Sequence, residues 1–114
     1  MKKIEAIIRT SKFHAVKEAL VKEGIEFFTF YDLKASGHQK ESFRGNEYDI
    51  GYIARTKLEI VVSSEAFCDA AIQAILKNAK TGEVGDGKIY VYDIAKAYRV
   101  RDGLEGMEAI NFEK

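Results

Sequence analysis

Residues 81–88 read Thr-Gly-Glu-Val-Gly-Asp-Gly-Lys, with three glycines inside six positions and a lysine at the threshold of the apolar run 89–92. Glycine admits positive φ and close approach by another group. Successive backbone N–H groups in such a turn form a concave nest for oxygen anions, and a lysine ammonium at its rim suits phosphate. The same letters also describe a tight turn before a strand with Lys88 solvated, because Gly-x-Gly spacing alone is weakly specific. Two further segments carry anion chemistry. Arg99 and Arg101 alternate on an extended-looking stretch, which would bring two guanidinium forks out on one side; surface ion pairs with Asp93 or Glu105 are the competing reading. Gly37, His38, Gln39 and Lys40 stand at the root of a long polar stretch. There Gln39 can donate, accept, and offer a carbonyl oxygen to a metal, or serve simply as a polar loop residue.

Nothing in the spacing assembles a reaction centre. His14 and His38 lie far apart and, with the single Cys68, make no zinc-ligand pattern. Neither histidine has a nucleophile with a third orienting group. The chain is therefore expected not to be an enzyme; the alternative is a small ferredoxin-like phosphotransferase or nucleotide-processing enzyme using His38. At 114 residues, 46% hydrophobic and 32% charged, residues 1–114 read as one folded domain with one core. Eighteen basic and eighteen acidic side chains cancel, which argues against a nucleic-acid surface. No apolar run approaches a membrane span, and Glu5 inside the first apolar segment does not fit a signal peptide. Cys68 reads as a small buried hydrophobe, consistent with a reducing cytoplasm.

The elements that must position these groups follow from periodicity. Ile4, Ala6 and Ile8 alternate with Ile7 over 2–9, a strand buried mainly on one face. Ser11 is placed to cap a helix striped by Phe13, Val16, Ala19 and Leu20 and ended by Gly24. An aromatic strand is expected over 25–33. Residues 36–54 have no sustained period and read as a long loop, with strand pattern resuming over 55–62. Ser63 or Ser64 caps a helix over 65–79, with Phe67, Ala71, Ala74, Ile75 and Asn78 along one side. A fourth strand covers 89–93, and 98–101 suggests a fifth. The order β-α-β-β-α-β predicts an α+β, ferredoxin-like sandwich with both helices on one sheet face. The opposite face, with Ile7, the second-strand aromatics and Tyr90 or Tyr92, reads as exposed and apolar and predicts association through the sheet. The connection between strands two and three, roughly 18 residues, exceeds an ordinary loop. Its Phe43, Tyr48, Ile50, Tyr52 and Ile53 favour a partner-docking arm over a linker. An RNA-reading sheet would carry stacking aromatics on its first and third strands, which here offer 4–8 and 58–62 instead.

Taken together, these blocks resemble the PII nitrogen-regulatory signal proteins. The match runs from Met1-Lys2-Lys3-Ile4-Glu5-Ala6-Ile7-Ile8 through Val16-Lys17-Glu18-Ala19-Leu20, Gly37 with Gln39-Lys40, and Arg44-Gly45 with Glu47-Tyr48. It continues through Glu59-Ile60-Val61-Val62, Thr81-Gly82 with Gly85-Asp86-Gly87-Lys88-Ile89, and Arg99-Val100-Arg101. The resemblance implies a homotrimer of ferredoxin-like subunits binding ATP or ADP in the clefts between them. It implies a T-loop at 37–54, a B-loop at 81–88 and a C-terminal segment at 94–114. By position, Gly85, Asp86, Gly87 and Lys88 would hold phosphate oxygens, with Arg99 and Arg101 in the same cleft and Gly37 and His38 beside it. Ile7, Thr29 and Val61 would line the base pocket. Gln39 would coordinate magnesium through ATP and, with Lys40 and Arg55, contact 2-oxoglutarate. Tyr48 matches a tyrosine that some members have uridylylated. The implied partner is an ammonium channel or a nitrogen-assimilation enzyme met through the T-loop. The implied location is the cytoplasm, with recruitment to the membrane by a channel partner and no embedded segment of its own.

The chain departs from the family pattern in ways that bear on ligands. His38 stands where arginine is common and offers a pH-dependent phosphate partner. The stretch from Gln39 to Tyr48 is about three residues short, which limits the reach of the arm. Phe43 and Asn46 replace a tyrosine and an alanine. Arg55 replaces a lysine, exchanging a point charge for a two-pronged fork. Glu83 stands where a basic residue is frequent and would disfavour a polyphosphate.

Overall fold

Alternation in the first strand decides which way the sheet faces. In β1 (Lys2–Arg9), Ile4, Ala6 and Ile8 are buried, while Lys3, Glu5, Ile7 and Arg9 turn to the other side. The structure, a computed structural model, describes residues 1–39 and 49–110, with the backbone alone at 38, 39 and 49–51. After β1 a 3-10 turn (Thr10–Lys12) leads into α1 (Phe13–Lys22), β2 (Thr29–Gln39), β3 (Asp49–Val62), α2 (Glu65–Ala79), β4 (Gly87–Asp93) and a short α3 (Met107–Ile110). The strands form one sheet in the order β2-β3-β1-β4, and all three neighbouring pairs are antiparallel. This is the ferredoxin-like α+β arrangement that the element order predicts.

One aliphatic layer joins the sheet to the helices. Ile4 and Ile8 of β1 and Leu58 and Ile60 of β3 pack with Val16 and Leu20 of α1 and with Cys68, Ala71 and Ile75 of α2. Burying each large aliphatic side chain contributes roughly 1.5–3 kcal/mol. Helix α1 ends as foreseen at Gly24: its N–H bonds Val21 O at 3.0 Å, and the Ile25 N–H bonds Leu20 O at 2.9 Å. This paired closure satisfies carbonyls the helix would otherwise leave open. Helix α2 begins at Ser64, whose hydroxyl accepts from the Phe67 N–H at 3.2 Å. Among the described residues no helix is long and apolar enough to cross a membrane.

Several expectations need correction. Strand β2 does not cover 25–33 but runs from Thr29 to Gln39, and β3 starts at Asp49 rather than 55. Pairing continues rung by rung to Gln39↔Asp49. Most of the stretch read as an aperiodic loop is therefore a two-stranded ribbon, held by backbone hydrogen bonds that need no side-chain period. Ser11 caps nothing: it lies in the 3-10 turn, and α1 starts without a side-chain cap. The stripe on α2 includes Cys68 and Ala79 in place of Phe67 and Asn78, with Phe67 43% exposed. No strand forms at 98–101; the segment turns, with a single bridge between Tyr98 and Glu105.

The sheet face away from the helices is also not the apolar surface expected. Glu5 and Glu59 stand directly opposite one another on β1 and β3, a like-charge pair that alone would be destabilising. Lys3 meets Glu59 at 2.7 Å and Lys57 meets Glu5 at 3.3 Å. The same two ammonium groups sit over the rings of Tyr92 and Tyr31, at 5.5 and 5.7 Å from their centroids. Hydrogen bonding from Lys3 draws the Glu59 carboxyl below its ordinary range, and that same bond raises Lys3. Lys57 is raised first by its hydrogen bond with Tyr31. The face is a paired lattice of charges and rings in which Ile7 is half-buried and Val61 exposed.

Two substitutions test this account. A Cβ at Gly87 would fall 1.8 Å from the Ile7 carbonyl oxygen, at a φ of +106°. Gly87→Ala must therefore displace the start of β4 and is expected to cost about 3 kcal/mol or more in chemical denaturation. Ser64→Ala removes the α2 cap and is expected to cost about 1 kcal/mol, with the denaturant slope unchanged.

Candidate functional site

The glycine loop is held by one carboxylate. Asp86 Oδ2 accepts from the Thr81 and Gly82 N–H groups at 2.8 and 2.9 Å. Its Oδ1 accepts from the Thr81 hydroxyl and, at 3.1 Å, from Arg9 Nε. These bonds, the Thr81 hydroxyl foremost, hold the Asp86 carboxyl far below the usual carboxylate range. The Thr81 hydroxyl in turn accepts from the Glu83 N–H at 3.1 Å. Two arginines close the far side: Arg9 donates to Val84 O at 3.0 Å and Arg55 to Gly85 O at 2.9 Å. The loop has a set shape before any ligand arrives, since Asp86 spends both oxygens on its own chain.

Lys88 is exposed at the mouth of this loop and pairs in register with Ile7. Ile7, Thr29, Val61, Lys88, Arg9 and Arg55 all project from the helix-free face, as strand alternation and register require. They do not gather at one point. Ile7 faces Lys57 across the sheet, whereas Val61 lies four positions further along β3, beside Lys3. Gly37 pairs with Gly51 on the ribbon, beyond the end of β1. The side chains of His38 and Gln39, and the whole of Lys40 and Tyr48, lie outside the described residues.

Arg99 and Arg101, expected to contribute to the same cleft as the glycine loop, come after β4 in the chain. Gly87 opens β4 and Asp93 closes it, with Arg99 and Arg101 beyond Asp93. A seven-residue strand spans roughly 20 Å. Arg99 is not on a strand; its guanidinium grips Asp102 through Nε at 3.0 Å and Nη2 at 2.6 Å. Asp102 also accepts from the Leu104 N–H at 3.1 Å, and its pKa is lowered to about 2, chiefly by the Arg99 bond. Arg101 approaches the same carboxylate at 3.8 Å and remains largely exposed. The acceptor that the two arginines share is Asp102, where the sequence offered Asp93 or Glu105, and Asp93 accepts from Lys2.

Sequence reading missed the roles of Arg9, Thr81 and Asp102. Arg9 carries a usable signal, since alternation in 2–9 puts it on the face of Ile7, at the end of the strand beside the loop. Among the described residues no group of three His, Cys, Asp or Glu side chains could hold a metal. His14 Nε2 lies 3.0 Å from Glu18 on the outer surface of α1, one helical turn away.

With this geometry in view, comparison with known proteins is specific. The family model described as Nitrogen regulatory protein P-II matches residues 1–104. The chain is 44% identical to the Nitrogen regulatory protein P-II of Pasteurella multocida over 113 residues, covering 96% of this chain and all of the relative. It is 45% identical over the same length to the corresponding protein of Rhodospirillum rubrum, again covering 96% and 100%. The solved structure of B. subtilis GlnK superposes with a TM-score of 0.77 at 36% identity, covering 95% of this chain and 96% of that one. The agreement extends through the sheet, both long helices and the glycine loop, so the chain belongs to the P-II nitrogen regulatory protein family.

Proposed function

We propose that this P-II chain is a cytoplasmic homotrimer that binds ATP or ADP between subunits and uses the loop joining β2 and β3 to control a partner in nitrogen assimilation, such as an ammonium channel or an assimilatory enzyme. The observation that carries this reading is a glycine loop already shaped by Asp86, with Lys88 exposed at its mouth, in a chain of the P-II family. The preshaped glycine loop with exposed Lys88 opens β4, while Arg99 and Arg101 follow its far end. A cradle between subunits, as the family resemblance implies, takes the loop from one copy and the arginines from another. In that cradle the backbone of Gly85 and Gly87 and the Lys88 ammonium meet phosphate oxygens, and Asp86 contributes by fixing the loop. Ile7, Thr29 and Val61 offer the less polar surface for the base. Gln39 would supply a carbonyl oxygen to magnesium. A site for 2-oxoglutarate built from Gln39, Lys40 and Arg55 would require the Arg55 fork to leave the Gly85 carbonyl it now holds.

The trimer is tested by sedimentation equilibrium, where a mass near three times the 12.8 kDa of the chain is expected; a lone monomer would sink the reading. Titration calorimetry with ATP and ADP, with and without magnesium and 2-oxoglutarate, is expected to show saturable nucleotide binding. Lys88→Ala and Arg101→Ala should each weaken ATP binding about tenfold or more, the scale of one charge-assisted hydrogen bond to phosphate, while the sedimenting mass stays the same. Parent-like affinity in both variants would remove these residues from the site.

A further inference from the structure

Strand β1 ends at Arg9, whose register partner on β3 is Arg55. From Arg55 to Val62, β3 is flanked by β1; from Ala54 back to Asp49 it is paired with β2 alone. The Arg9–Arg55 rung is therefore where a four-stranded sheet becomes a two-stranded ribbon. Two guanidinium groups facing one another across neighbouring strands repel. The glycine loop offsets this repulsion. Asp86 and the Val84 carbonyl accept from Arg9 at 3.1 and 3.0 Å, which makes Arg9 a two-point anchor. Arg55 instead divides its fork: Nη2 donates to Gly85 O at 2.9 Å and Nη1 to Ala54 O at 2.8 Å. One side chain thus touches the loop with one nitrogen and the first ribbon residue with the other. The fit depends on Gly85, at φ +102°, because a Cβ there would lie 3.1 Å from Arg55 Nη2 and 3.2 Å from Arg9 Nη2.

We propose that Arg55 is a positioning residue that ties the lean of the β2–β3 ribbon to the conformation of the glycine loop, through the Gly85 carbonyl, its own fork and the Ala54 carbonyl, against the fixed Arg9–Asp86 anchor. The loop and the ribbon then share one equilibrium, and anything that moves Gly85 changes the ribbon. The coupling belongs to the chain itself and does not rest on nucleotide binding.

The test is hydrogen exchange on the ligand-free protein, read at backbone amides 34–38 and 50–54 of the ribbon and at 4–8 of β1 as a control for the fold. Gly85→Ala is expected to speed ribbon exchange about fivefold or more, the scale of a coupling near 1 kcal/mol, with β1 unchanged. Arg55→Met should do the same, and the double variant should exchange no faster than the faster single variant. Effects that multiply, or acceleration confined to the loop with a quiet ribbon, would overturn the proposal. Should Arg55→Met also loosen β1, Arg55→Lys takes its place: it keeps the charge but has one nitrogen where two are needed. With lysine at 55 the ribbon response to Gly85→Ala is expected to shrink, and a response equal to the parent's would overturn the proposal. No nucleotide is present at any stage, so a chain that bound no ATP could still pass, and one that bound it well could still fail.

Discussion

The strict two-residue alternation of β1 is the constraint on which the other features rest. Among the described strands it is the one paired on both sides by partners distant in sequence, β3 and β4. Because Ile4, Ala6 and Ile8 must face the helices, Lys3, Glu5, Ile7 and Arg9 have no choice but the opposite face. A slip of one residue would exchange the two sets and place three charges in the aliphatic layer. That single register decision sets Ile7 beside Lys88, sets Lys3 diagonal to Glu59, and sends Arg9 to the glycine loop.

The loop shows how one carboxylate can set the shape of a glycine-rich segment. Glycines allow positive φ, but permissiveness does not select one conformation, and an unconstrained run of three glycines would sample many. Asp86 makes the selection by accepting from two backbone N–H groups, a hydroxyl and an arginine. This is preorganisation: the order is established during folding, so less would be lost were the loop to bind an anion. Asp102 acts similarly in the turn after β4, where it orients Arg99 and satisfies the Leu104 N–H.

Much of this architecture was legible in the residues. The β1 alternation, the Gly24 stop, the Ser64 cap, the α2 span and the ferredoxin-like order all depend on local patterns, and each appears in the structure. The reading failed where local pattern stopped being the cause. The ribbon formed by Thr29–Gln39 and Asp49–Val62 is held by cross-strand backbone bonds, and these leave no trace in hydrophobic period. Arg99 and Arg101 alternate as a strand would, yet an acceptor three positions after Arg99 draws the segment into a turn. For the glycine loop, the glycines and Lys88 were visible but their organiser was only half visible. Arg9 is 77 residues from Asp86 and Arg55 is 30 from Gly85, separations that only the folded sheet brings together.

The paired lattice on the helix-free face has a consequence for recognition. Away from the Arg9, Arg55 and Lys88 end, Lys3, Glu59, Lys57 and Glu5 neutralise one another within a single copy, so little field extends from that patch past a few ångströms into solvent. A surface of this kind cannot attract or reject a counterpart from a distance. Discrimination there must come at contact, from how well the rings of Tyr31 and Tyr92 and the separate aliphatic side chains of Ile7 and Val61 fit what they meet.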